Sequence, residues 1–264
     1  VSYWVAGLLV AISALAAGVT SHFVGRMISV ERRRKHHDIG GPVFLQGGVM
    51  LSVLLAFVFS EVWGEYNTAA QAISSECSSL HAAAILASDL PGGAGDGLRQ
   101  SITRYAETVI HQEWPQMSAL TGSPAAAADF QAVMRTGSTL SVSRPVDVSN
   151  QSQILTLLAQ AHEQREVRLF QVGQGLPAAL WLVLIAMSFV LIVFVLFAGL
   201  EPGGHILFAS AYAGFTVAIL VLVSLLDFPF RGSMALSSEN FSHLVTQVSQ
   251  LTGGGRLREL SMRY

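Results

Sequence analysis

Four apolar runs, each long enough to cross a bilayer, constrain this chain more than any other feature. They extend from Tyr3 to about Ile28, Val43 to about Tyr66, Pro177 to Leu200, and about His205 to Phe228. Inside lipid a backbone must satisfy its own hydrogen bonds, so an apolar run of about 20 residues spans as a helix. The rest of the composition agrees. The 264 residues are 52% hydrophobic and only 12% charged, whereas a soluble domain carries about 25% charged residues. The expected class is an all-α integral membrane protein with four transmembrane helices. A net charge of −2 offers no basic surface and argues against a nucleic-acid partner. No positive charge precedes the first run, and the run is long, so it reads as a retained helix rather than a cleaved signal peptide.

Orientation follows the basic residues. Arg26, Arg32, Arg33, Arg34 and Lys35 crowd the connection between the first two runs, which places that loop in the cytoplasm. Basic charge is carried almost wholly by arginine, Lys35 being the only lysine; Arg231, Arg256, Arg258 and Arg263 in the tail blur this signal, but most of them lie far from a membrane end, where the rule weakens. The expected organisation is residues 1–66 as transmembrane helices one and two with their basic loop, 67–175 as an extramembrane helical domain, 176–230 as helices three and four, and 231–264 as a C-terminal tail. A bacterial inner-membrane, multi-pass protein with its helical domain outside the cytoplasm is the result.

The insert between the second and third runs has helical periodicity. Ile73, Cys77, Leu80 and Ala84 share one face, and Leu98, Ile102, Tyr105 and Val109 share another, with "PGGAGDG" between them. A third segment covers about 125–140, and a fourth about 151–172, carrying Ile154, Leu158, Ala161 and Leu169. "SVSRPVDVSN" reads as a loop with Asn150 as N-cap. Four such helices predict a bundle standing on the membrane. The first and fourth are expected to continue the second and third membrane helices, because no strong breaker intervenes before Gly173, Gly175 and Pro177. The single cysteine, Cys77, forms no intrachain disulfide and reads as a packing residue.

The second run carries a stripe of small residues at four-residue spacing: Gly48, Ser52, Ala56, Ser60 and Gly64. The first run has Gly7, Ala11, Ala14, Gly18 and Gly25, and the fourth has Ser210, Gly214 and Ala218. Small residues let helix backbones approach closely in lipid. Gly48, Ser52, Ala56, Gly64 and Gly214 are therefore candidate packing positions, with helices one, two and four inside a homo-oligomer. The third run is bulky nearly all round and is expected to face lipid. Tight packing and pore lining both remain open for the second helix.

At the end of the second run "FVFSEVWGEYNTAAQ" holds Glu61 and Glu65 beside Trp63 and Tyr66. Asp227 closes the fourth run on the same side. Acids at a membrane span mark either a path for ions or a solvated edge salt-bridged by Arg168 or Arg231, and Trp and Tyr favour that edge. Ser60, Glu61, Glu65 and Asp227 are the candidate ion pathway. A ring of carboxylates there would favour cations. "HHD" at 36–38 cannot converge on one ion and reads as a solvated loop, and His22 as hydrogen-bonded or reaching for the interface. "GGAGDG" and "TGGGR" lack the context of a phosphate loop and read as linkers. No nucleophile–base or metal-ligand spacing is present, so neither an enzyme nor a cofactor is expected.

Several stretches in fixed order resemble a known family. They are "HHDIGGPVF", "LLAFVFSEVWGEY" followed by Glu76, Leu90–Pro91, "YAETVIHQEWPQM", "EQREVRL" before "GLPAALW", and "LLDFPFRG". From about Arg32 to Val245 the chain resembles the bacterial bestrophin-like membrane proteins, whose name records a likeness to bestrophin anion channels. That resemblance implies four membrane helices per subunit, a helical domain between the second and third, an oligomer, and a pore along the second helix. Two functions fit: an oligomeric ion channel, or a non-conducting scaffold or accessory subunit whose outer domain binds a protein partner.

Overall fold

A computed structural model describes the backbone of residues 2–29, 31, 37–141, 144–197 and 202–261. The described residues are helical with no strand. In chain order they form α1 (Tyr3–Met27), α2 (His37–Ser88), a 3-10 turn (Pro91–Gly93), α3 (Asp96–Thr108), a π-helical turn (Val109–Glu113), α4 (Trp114–Ser118), α5 (Pro124–Ser138), α6 (Pro145–Phe170), α7 (Ala178–Leu196), α8 (Pro202–Leu226) and α9 (Glu239–Ser261). Four of these, α1, α2, α7 and α8, are long and apolar enough to cross a membrane. The basic residues 32–35, and the "HHD" stretch apart from the backbone of His37 and Asp38, lie outside the described residues.

The chain divides into two compact units, residues 1–64 with 175–227 and residues 65–174 with 228–264. In the first, α1 packs closely on α8 through small residues. A Cβ placed on Gly18 would lie 2.6 Å from Ser210 Oγ, and one on Gly214 would lie 3.4 Å from the Ala14 methyl. The small faces of the first and fourth spans thus meet each other within one chain, and Gly214 is occupied by α1 rather than held open for a second subunit. On α2, Leu51, Leu55, Val58 and Val62 are buried. Phe44 meets Phe194 and Tyr212 at ring-centroid distances of 6.5 and 5.8 Å. On α7 only Leu184, Ser188 and Leu191 are buried, so its bulky remainder faces outward as expected for a lipid-facing helix.

The second unit is a helical bundle with one apolar core. Ile73, Leu80, Leu98, Ile102, Tyr105, Phe130, Val133, Ile154 and Leu158 meet there. The first insert helix is indeed the continuation of the second membrane span, because α2 runs unbroken to Ser88. The fourth does not continue into the third span: α6 ends at Phe170 and α7 starts at Ala178, since Gly173, Gly175 and Pro177 break the helix. Nor does the Pro145–Asn150 part of "SVSRPVDVSN" form a loop capped by Asn150. α6 begins at Pro145, whose fixed φ suits a first helical position, and Asn150 lies one turn inside. Residues 239–261, expected as tail, form α9, which buries Phe241, Leu244 and Val248 in the core. "TGGGR" lies within α9 rather than in a linker.

Between α4 and α5 the chain closes with a Schellman turn. The Leu120 N–H donates to Met117 O at 2.9 Å, and the Thr121 N–H to Gln116 O at 3.0 Å. The C′ position of this motif is left-handed and usually glycine. Here it is Leu120, at φ 64°.

Candidate functional site

Two clusters of polar residues stand out, one in each unit. The first is the end of the α2 span. Ser52, Ala56, Ser60, Glu61 and Gly64 are all exposed in the single chain, while Gly48 and Glu65 are partly buried. The small-residue stripe therefore lies apart from the buried positions of α2, Leu51, Leu55, Val58 and Val62. Glu61 belongs to the free face. Trp63 stacks on Phe59 at 6.3 Å, forming an aromatic pair beside the acids.

Asp227 has a different setting. It is buried, and its carboxylate accepts the Leu176 N–H at 2.7 Å and the Trp181 Nε1–H at 3.3 Å. It pins the entry of the third span to the end of the fourth. At the opposite end of the same two spans, buried His205 contacts Ser21 Oγ through Nδ1 at 2.6 Å and Val195 O through Nε2 at 3.2 Å. A carbonyl only accepts, so Nε2 carries a proton. His22, by contrast, is exposed, with its ring edge-on to Phe23.

The second cluster is a buried ionic quartet in the helical domain: Glu76 of α2, Glu113 of the π turn, and Arg165 and Arg168 of α6. Glu76, Glu113 and Arg168 are fully buried, and Arg165 is nearly so. Arg168 Nε donates to Glu76 Oε2 at 2.8 Å and Nη2 to Glu76 Oε1 at 3.3 Å. Its Nη1 donates to Glu113 Oε1 at 3.3 Å and to Met117 Sδ at 3.0 Å. The fifth donor reaches Tyr105 Oη at 3.3 Å, and Tyr105 in turn donates to Glu76. All five guanidinium N–H groups are used. Arg165 Nη2 donates to both Glu113 oxygens at 3.2 Å. The Arg168 guanidinium also lies 5.3 Å from the Phe241 ring and 5.8 Å from the Trp114 ring. Two anions and two cations thus cancel in an almost wholly buried site, where a lone charge would be costly.

The quartet's electrostatics follow from that burial. Desolvation alone would depress the Arg168 guanidinium, but Glu76, Tyr105 and Glu113 more than reverse it and hold the cation. The Tyr105 phenol is pushed far up, first by burial and then by the Glu76 charge. Cys77 next door is raised the same way, by burial and then Glu76, so its thiol is inert.

Local geometry explains how the charges reach the core. In an α-helix four residues advance by about 400°, so a four-residue spacing drifts round the axis. The wider π turn offsets that drift, and Val109, Glu113 and Met117 are all buried. On α6 the buried positions beyond Asp147 are Ile154, Leu158, Ala161, Arg165 and Arg168, one stripe at alternating spacings of four and three. From sequence, Arg168 and Arg231 are both available partners for Glu61, Glu65 or Asp227 at a salt-bridged membrane edge. The partners of Arg168 are instead Glu76 and Glu113. The available signal was the stripe itself, in which two arginines hold positions that continue an apolar row. Glu76 gave the same signal beside Ile73, Cys77 and Leu80. Among the described residues no group of three His, Cys, Asp or Glu side chains could hold a metal ion.

Comparison with known proteins fits this architecture. The bestrophin-like domain family matches residues 7–241. Solved structures of a bacterial bestrophin homologue from Klebsiella pneumoniae share the fold. One single-residue variant superposes with a TM-score of 0.73 at 12% identity, covering 92% of this chain and 98% of its own. A second gives 0.72 at 10% identity, covering 90% and 98%. No match is found among curated protein sequences. With the family spanning nearly every described helix, the chain belongs to the bestrophin-like family.

Proposed function

We propose that the chain is a subunit of a homo-oligomeric ion channel of the bacterial inner membrane, with the free face of α2 lining the conduction path. The observation that carries this is the exposure of Ser52, Ala56, Ser60, Glu61 and Gly64 in the single chain. A polar and small-residue helix face is poorly matched to lipid. Copies of the same face around an axis would close it off from the acyl chains and leave a narrow wet passage. Glu61 then stands nearer the axis than Glu65, and a ring of Glu61 carboxylates would gather cations at the mouth. Asp227, held by Leu176 and Trp181, serves as a brace beside that mouth rather than as part of it.

The five basic residues between the first two spans support an extracytoplasmic helical domain. Gln100 of the helical domain is exposed and serves as a reporter. A membrane-impermeant maleimide should label Gln100→Cys and spare Arg33→Cys in intact cells, and the reverse pattern would invert the topology.

The decisive experiment is a planar-bilayer recording of purified protein under a salt gradient. Glu61→Gln should lower cation permeability relative to chloride, most clearly at low ionic strength where screening is weak, and Glu65→Gln should do less. Absence of current from a correctly assembled oligomer would favour a scaffold or accessory subunit whose helical domain binds another protein.

A further inference from the structure

The membrane-spanning part of α2 carries one more polar side chain that the channel reading leaves unused. Counted at about 100° per residue, its buried positions Leu51, Leu55, Val58 and Val62 fall within an arc of about 60°. The direction opposite the middle of that arc is the most outward line of the span. Pro42, Gln46, Val49, Val53, Ser60 and Gly64 lie within about 30° of it, and all are exposed. Only Gln46 and Ser60 bring a polar side chain to this line. They stand roughly 21 Å apart along the axis, with Val49 and Val53 between them.

The two residues differ in what they need. A hydroxyl in a helix can turn back on its own backbone, as Ser52 does onto the Gly48 carbonyl at 2.8 Å. A primary amide has two N–H donors and a carbonyl to satisfy, and among the described residues Gln46 makes no hydrogen bond. Against acyl chains such a group would stay without partners, which is costly. Polar side chains in membrane helices turn instead to a protein interior or to water.

We infer that Gln46 lines the water path at the end of the span remote from Glu61, and that a ring of its amides replaces part of the hydration shell of each passing ion. This deepens the channel reading and rests on it. An amide offers both an acceptor and donors at no net charge, so it holds ions without selecting them by sign. Discrimination between cation and anion stays with the Glu61 carboxylates, and Gln46 acts on how readily ions enter and leave.

The first test needs no current. Gln46→Cys, Val43→Cys and Met50→Cys are made one at a time in the full chain, where Cys77 is buried, and placed in liposomes with an aqueous maleimide on both sides. Val43 and Met50 are also exposed, but they lie about 90° and 70° from the outward line, one nearer the end of the span and one deeper. Only a thiolate reacts, and it forms where water reaches it. Gln46→Cys should react about tenfold faster than either neighbour, a factor equal to about 1.4 kcal/mol in barrier. Equal rates, or rates that fall steadily from Val43 through Gln46 to Met50, would mean a solvated membrane edge and overturn the inference.

The second test is conductance. Gln46→Leu should lower single-channel conductance about threefold, or about 0.65 kcal/mol in barrier, and leave the reversal potential where it is. Unchanged conductance, or a shifted reversal potential, would overturn the role of the amide. If the wild type passes no current while labelling stays selective, the channel reading has failed and the wet line of α2 remains. If current flows and labelling is not selective, Gln46 has failed and the channel reading stands.

Discussion

Removing the cation of the quartet should unfold the helical domain far more readily than removing an equal volume of apolar side chain. In Arg168→Met the stem is roughly conserved, so packing is largely kept. What is lost is the charge facing Glu76 and Glu113, both fully buried. Glu113 retains Arg165, whereas Glu76 keeps only the Tyr105 hydroxyl. Breaking a buried ion pair from one side costs about 3–5 kcal/mol, because the remaining charge has no compensation. At roughly 2–4 °C per kcal/mol for a chain of this size, the apparent midpoint should fall by about 6–20 °C. Near-ultraviolet circular dichroism at a fixed scan rate in detergent would follow it. The double variant Glu76→Gln with Arg168→Met removes the stranded charge and should recover at least half of the loss. A fall below about 3 °C in the single variant, or no recovery in the double, would mean that water reaches the quartet and that the buried-pair argument is wrong.

Three further outcomes are expected. Leu120→Gly should raise the midpoint by about 2–4 °C, since a left-handed non-glycine residue costs on the order of 1 kcal/mol; a fall would show that the Leu120 side chain contributes more than its backbone costs. Asp227→Asn can turn its amide N–H₂ toward the Trp181 N–H or the Leu176 N–H, leaving one donor facing another, and should lose about 1–3 kcal/mol with ion selectivity unchanged. Altered reversal potentials without destabilisation would instead place Asp227 in the ion path. Two hydrogen bonds from Arg144, at 2.8 Å each, hold the Asp147 carboxyl below its ordinary range. A depressed carboxyl stabilises above its unfolded pKa of about 3.9 and loses that contribution as pH falls further. The midpoint gap between wild type and Asp147→Asn should thus close as pH drops below about 4, and a gap constant with pH would count against it.

The sequence by itself determined the membrane class and the four spans, because the bilayer sets one length and one polarity for every crossing helix. It also determined the helical domain and most of its apolar face, since Ile73, Leu80, Leu98, Ile102, Ile154 and Leu158 recur at helical spacing whatever they pack against. Fixed-order stretches such as "EQREVRL" and "LLDFPFRG" carried the family. Tertiary structure decided which residues meet. Spacing puts Gly214 on a small-residue face but does not say that Ala14 of the same chain fills it. An arginine two residues before a helix end reads as a membrane-edge cation until Glu76 and Glu113, far away in sequence, are seen to surround it. The same holds for Asp227, whose partners Leu176 and Trp181 appear only once the third and fourth spans are brought together. Periodicity records which face of a helix is apolar. The pairing of buried charges depends on distances between helices, and those are set by packing of the whole bundle.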